Sequence, residues 1–179
     1  MRALIAAVLA SVLGALLLAL GAPLALASAG AGVGSRQSVV PGNGTAGPAT
    51  AAVHDIPPDM LLLYESGAQR CPGLPWPVLA AIGKVETDHG RGSLVSPAGA
   101  EGPMQFMPAT WAEYAVDADG DGDPSIWEAA DAVPAAADLL CANGAGNPAT
   151  LASAIYQYNH ADWYVQLVLN WAARYGAAG

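Results

Sequence analysis

The sequence predicts an all-α domain, and three observations carry that prediction. No segment alternates apolar and polar residues over four or more positions, as a half-buried strand would. Apolar residues recur instead at helical spacing, between Pro or Asx starts and Gly stops. No unit of about 20 to 50 residues repeats, so the chain is not a solenoid. The folded part is expected at residues 59–179, about 120 residues and enough for one core.

Ahead of it the texture differs. Met1 and Arg2 precede an almost unbroken apolar run from Leu4 to Leu20, and Ala27-Ser28-Ala29 fits a small-residue cleavage site. Residues 1–29 read as a secretory signal, or as an uncleaved N-terminal membrane anchor. Residues 30–58 are rich in Gly, Ala, Ser, Thr and Pro without periodicity, and read as a flexible linker. The expected location is therefore outside the cell or in its envelope.

Six helices are expected in the domain. The first starts at Met60 and ends near Cys71, before Pro72-Gly73. The second follows Pro75 and Pro77 and is stopped by Gly90 and Gly92. A Gly/Ser/Pro loop then runs from Ser93 to Gly102. Pro108 opens a third helix through Val116, since proline is tolerated in a first turn. Asp131 or its neighbours open a fourth through Leu140. Asn147-Pro148 reads as a cap and start for the fifth, ending near Tyr158, and Asp162 as the cap of a sixth through Tyr175.

Glu86 stands out on the second helix. It lies one turn beyond Ile82 and two beyond Leu79, on the face expected to be buried, and in the last turn. Burial and the negative end of the helix dipole both favour the protonated acid. A carboxylic acid still protonated near neutral pH suits a general acid for glycoside cleavage. A partly exposed glutamate at a frayed helix end fits the same spacing.

Residues 117–128 match a twelve-residue calcium loop throughout. Asp117, Asp119 and Asp121 stand at positions 1, 3 and 5, and Gly122 supplies the turn at 6. Asp123 offers its carbonyl at 7, Ser125 can reach at 9, and Glu128 can bind bidentately at 12. The all-oxygen set suits a hard cation, and a single unpaired loop suits a structural Ca2+. A solvated acidic turn is the alternative.

The net charge of −9 and the lack of a basic stripe argue against a nucleic-acid partner. Phe occurs once, against five Trp and six Tyr, a balance that suits sugar stacking and ordinary cores alike. Cys71 and Cys141 are too far apart for a metal or redox motif. In an exported protein such a pair reads as a disulfide, and a loop of about 70 residues so closed would stabilise by on the order of 4 kcal/mol.

Three stretches then coincide in order: VETDHGRG with Glu86, GAEGPMQFMPATW from Gly99 to Trp111, and AIYQYNHADWYV from Ala154 to Val165. With the acidic loop they resemble the lytic transglycosylases, and most of all the B-type membrane-bound branch with an EF-hand-like calcium site. The resemblance implies a lysozyme-like helical fold, peptidoglycan as partner, and a monomer. Glu86 matches the catalytic acid. Gly102, Met104 and Gln105 match the glycan-lining segment. Tyr158 and Asn159 match a Tyr-Asn pair whose tyrosine orients the acid. Thr87 stands beside Glu86 as a further substrate-binding position, where many members have Ser. His160-Ala161-Asp162 departs from the common Gly-x-Gly.

The implied chemistry cleaves the bond between N-acetylmuramic acid and N-acetylglucosamine and leaves a 1,6-anhydromuramoyl end. Asp88 cannot share the helix face of Glu86, and Glu101 is the only second acid the sequence offers. The alternatives are a hydrolytic muramidase assisted by Glu101, and a catalytically silent, calcium-stabilised wall-binding module.

Overall fold

The computed structural model describes residues 53–177. The expected signal or anchor and most of the expected linker lie outside the described residues. Among the described residues six α-helices follow in order: α1 (Pro58–Ala68), α2 (Trp76–Thr87), α3 (Pro108–Tyr114), α4 (Ala129–Ala142), α5 (Leu151–Asn159) and α6 (Asp162–Gly176). The described residues form no strand, only isolated bridges of Glu101 with Val95 and with Phe106. None of their helices is long and apolar enough to cross a membrane.

Helix α2 runs through the middle. Val78 to Gly83 are all buried in sequence, so the helix is enclosed nearly all round, with α6 and α1 as its main neighbours. Small residues allow this. A Cβ on Gly83 would stand 2.0 Å from the Tyr64 hydroxyl of α1, so only glycine lets the helices approach so closely. Helix α4 works in the same way, with buried Ala132, Ala135, Ala136 and Ala137. Pro134 inside it gives up one backbone hydrogen bond.

Cys71 and Cys141 are joined, with their Cα atoms 5.4 Å apart, so the turn after α1 is tied to the last turn of α4. Arg70 donates through Nε and Nη2 to the two oxygens of Asp138 at 2.9 and 2.6 Å across the same junction. This planar two-bond fork is the geometry in which arginine binds a carboxylate most strongly.

Several boundaries differ from the sequence reading. Helix α5 begins at Leu151, not at Pro148. The Asn147 side chain accepts from Ala149 N at 2.9 Å, and that local turn uses the group expected to cap the helix. Asp162 is the first residue of α6 and not its cap, a position where its charge still meets the helix dipole. Helix α3 ends at Tyr114, two residues short of the expectation. The domain also takes in residues assigned by composition to the linker, since Ile56 is buried in the core.

Candidate active site

Helix α2 ends in an abrupt reversal. Asp88, His89 and Gly90 are left-handed in succession, with φ of 53°, 59° and 80°. His89 N bonds Gly83 O at 2.9 Å and Asp88 N bonds Lys84 O at 3.0 Å, which satisfies the carbonyls of the final turn. The reversal separates neighbouring side chains. Thr87 and His89 turn inward and are buried, while Glu86 lies at a rim.

Glu86 lines a broad cavity of about 660 Å³ together with Lys84, Asp88, Val95, Ser96 and Gln105. The Tyr164 hydroxyl, from the first turn of α6, donates to Glu86 Oε1 at 2.5 Å. Loss of water around the carboxyl pushes its pKa up to about 7, against the opposing effect of the tyrosine bond. The group therefore carries its proton through mildly acidic pH and stands ready to give it up near neutrality.

The other carboxylate at this cavity, Asp88, is occupied. Its Oδ1 accepts from Lys84 Nζ at 2.5 Å and Arg91 Nη2 at 2.9 Å, and its Oδ2 from Arg91 Nε at 3.0 Å. Those bonds hold it ionised, well below the usual carboxylate range. Glu101 does not line the cavity. Its backbone pairs with Phe106 in both directions, at 2.8 and 2.9 Å, which makes it part of the turn that carries residues 102–105.

That turn is fixed to α2 and to the acidic loop. Thr87 Oγ1 donates to Pro103 O at 2.6 Å and accepts from Gly90 N at 2.8 Å, so this buried hydroxyl ties the turn to the helix end. A Cβ on Gly102 would stand 1.8 Å from Ile126 O, so only glycine permits this approach to the acidic loop. The Met104 side chain is fully buried and packs in the core, so the expected glycan-lining role does not fit its side chain. Gln105 remains on the surface of the site. It sits at φ 52°, donates from Nε2 to Gly102 O at 2.8 Å, and borders both the Glu86 cavity and a second one. The second cavity, about 310 Å³, is lined by Phe106, Thr110, Glu113, Tyr114 and Tyr158 among others.

The tyrosine that meets the acid is not the expected one. Tyr158 donates to Met104 O at 2.9 Å and lies parallel to Tyr164, ring centroids 6.4 Å apart at 4°. Tyr164 makes the bond to Glu86, with Tyr158 as its backing. Asn159 is exposed in the last turn of α5 and lines neither cavity. His160 follows in the left-handed conformation, edge-on to Tyr156.

In the acidic loop, Asp119, Asp121 and Glu128 bring oxygens within 4.8 Å of one another, and so do Asp117, Asp119 and Asp131. Asp117 also accepts from Gly120 N and Gly122 N at 2.8 and 2.9 Å, folding the loop back on its first residue. Asp131 is the member the sequence reading missed. Fully buried in α4, it accepts from Ala118 N at 2.7 Å and Ser125 N at 2.9 Å, holding both ends of the loop. The Glu128 carboxyl is raised above its ordinary value, by loss of water and by the nearby charges of Asp121 and Asp119. The donor set is all oxygen, converging and mutually repelling, which fits a hard divalent cation.

Residues 78–153 match the family model for the transglycosylase SLT domain. The matched stretch runs from α2 into α5. Among individual relatives, membrane-bound lytic murein transglycosylase B of Escherichia coli strain K12 is 45% identical over 47 residues. That match covers 26% of this chain, which spans only 13% of the relative's length. The fold is shared with the Escherichia coli lytic transglycosylase SLT35. The complex with bulgecin A superposes with a TM-score of 0.54 at 21% identity, covering 75% of this chain and 80% of that one. The complex with calcium gives 0.54 at 20% identity, covering 74% and 80%.

Proposed function

We propose that this chain is a peptidoglycan lytic transglycosylase in which Glu86 alone serves as general acid and then general base. The observation that carries the reading is the state of the two carboxyls at the cavity. Glu86 is protonated up to about pH 7 and held by one hydroxyl, whereas both Asp88 oxygens are occupied. Hydrolytic glycosidases use a second free carboxylate to activate water or attack the sugar. With no second free carboxylate lining the Glu86 cavity, the nucleophile comes from the substrate.

Glu86 gives its proton to the glycosidic oxygen between N-acetylmuramic acid and N-acetylglucosamine as the bond from that oxygen to muramoyl C1 breaks. The muramoyl 6-hydroxyl oxygen bonds to C1, and its proton passes to the Glu86 carboxylate. The acid is restored, a 1,6-anhydro end forms, and no water is consumed. Tyr164 holds the carboxyl in place and Gln105 borders the path from one cavity to the next. A glycan crossing Glu86 passes Gln105 toward Tyr158 and Phe106. Such a substrate implies action in the cell envelope.

The test is mass spectrometry of muropeptides after incubation of murein with the purified protein and calcium. The expected product carries an end lighter by one water than a hydrolytic product. A reducing muramic acid end would make the chain a muramidase, and no released glycan would leave a wall-binding module.

Asp117, Asp119, Asp121, the Asp123 carbonyl, Ser125 and Glu128 would hold a Ca2+ ion, which supplies the charge that lets these carboxylates stay folded together. At about tenfold above a Kd of roughly 1 mM, calcium should add about 1.4 kcal/mol of stability. Asp119→Asn, which touches both carboxylate groups, should remove the calcium-dependent rise in Tm. A melting curve indifferent to calcium and chelator in the unaltered protein would refute the ion.

A further inference from the structure

Asp55 precedes α1, in the stretch that composition assigns to the linker, yet it reaches the end of α2. Its Oδ2 accepts from Lys84 Nζ at 2.6 Å and its Oδ1 from Arg91 Nη2 at 3.1 Å. Arg91 Nη1 also donates to the Asp55 main-chain oxygen at 2.8 Å. Lys84 and Arg91 both hold Asp88 as well, so the four side chains close a ring of alternating charge around the left-handed reversal. Glu86 lies inside the segment that this ring encircles.

The inner side of the ring is hydrogen-bonded to the core. Tyr175 of α6 donates to Asp55 Oδ2 at 3.5 Å, and its hydroxyl meets His89 Nε2 at 3.1 Å. His89 Nδ1 meets the Tyr64 hydroxyl of α1 at 3.1 Å. Lys84 is further held over the Trp171 ring, 5.0 Å from its centroid.

Two non-glycine residues in the left-handed region each cost on the order of 1 kcal/mol or more, and persist only where the surroundings over-determine them. Without Asp55, Lys84 and Arg91 keep Asp88, which belongs to the same short segment. The ion pairs then no longer connect that segment to the rest of the domain. We infer that Asp55 is a positioning residue for Glu86: it pins the reversal after α2 through Lys84 and Arg91, and so holds the Glu86 carboxyl against Tyr164.

This inference rests on the catalytic reading of Glu86, but it can be tested apart from it. Asp55→Asn keeps the size, removes the charge and exchanges one of the two acceptor oxygens for an NH2 donor. The expected result, in protein folded by circular dichroism, is a fall in kcat on murein of about tenfold with KM within twofold. The 13C titration midpoint of the Glu86 carboxyl should fall from near 7 toward the ordinary carboxylate value as water reaches it. Asp55→Glu should restore part of both. If Asp55→Asn does not fold, Arg91→Gln, at a more exposed site, cuts one of the two links while Lys84 keeps the other, and should show the same two changes at reduced size. Wild-type kcat together with a wild-type Glu86 midpoint in a folded variant would overturn the inference. If the unaltered protein releases no glycan, the function proposed above fails, and the midpoint alone decides whether Asp55 positions Glu86.

Discussion

Glu86 and His89 stand three positions apart across the end of one helix, and the same force acts on both with opposite results. Loss of water raises the Glu86 carboxyl to about 7 and lowers the His89 imidazole to about 4. Each is thereby kept neutral, since burial disfavours whichever form is charged. Their partners differ. His89 has a tyrosine hydroxyl on each nitrogen and is almost fully enclosed. Glu86 has one hydroxyl on one oxygen and an open cavity beside it. Burial sets the protonation state; the unfilled hydrogen-bonding capacity of Glu86 leaves it free to act.

The largest test of this contrast is Glu86→Gln. A general acid contributes about 10² to 10⁴ in rate, so glycan release should fall by on the order of 10³. The same change should stabilise the protein above pH 7. There the wild type must keep an ionised carboxylate in a site that favours the acid, at a cost on the order of 3 kcal/mol. A folded Glu86→Gln protein with wild-type turnover would end the proposed mechanism.

Next in size is His89→Asn. Asparagine tolerates the left-handed backbone, so the change isolates the lost ring from the strain. Two tyrosine hydroxyls lose a partner and a small cavity opens. Urea unfolding at pH 7 should show a loss of about 2 to 4 kcal/mol. A loss below about 1 kcal/mol would mean that the hydroxyls find other partners and that His89 is not a hub.

Tyr164→Phe should have a smaller effect. It removes the bond that favours the carboxylate, so the basic limb of the pH–rate profile should move upward from about 7 while the rate falls by about tenfold. An unmoved limb would detach Tyr164 from the acid.

The sequence made one side of this comparison legible and hid the other. Proline starts announced α2 and α3, and glycine breaks announced the ends of α1 and α2, because those residues act through local backbone geometry. The spacing of Leu79, Ile82 and Glu86 placed the acid on a mostly buried helix. It could not say which of two tyrosines six residues apart reaches a helix 78 positions away. The α5–α6 corner decides that, giving Tyr164 to Glu86 and Tyr158 to a main-chain oxygen. Asp131 was read as an ordinary helix-start acid. Its burial depends on a loop folding back 13 residues to present Ala118 N. His89 carried no local signal at all, since both of its partners come from other helices.

The smallest effect is one the two residues should produce together. His89 is lowered from 6.5 to about 4, so the unfolded chain binds the extra proton as pH falls through that interval. Its contribution is fully present above 6.5 and lost toward 4. Glu86 is raised from 4.5 to about 7, so here the folded chain holds the extra proton. Its contribution is most favourable below 4.5 and is lost as pH rises toward 7. The slopes oppose each other between about pH 4.5 and 6.5 and are similar in size. Wild-type stability to urea should therefore change by less than about 1 kcal/mol across that window. Glu86→Gln removes one slope, and the stability of the variant should rise with pH by about 2 kcal/mol or more over the same interval. If wild type and variant trace parallel curves, the two groups are not opposed in the folded protein, and burial alone does not explain their protonation.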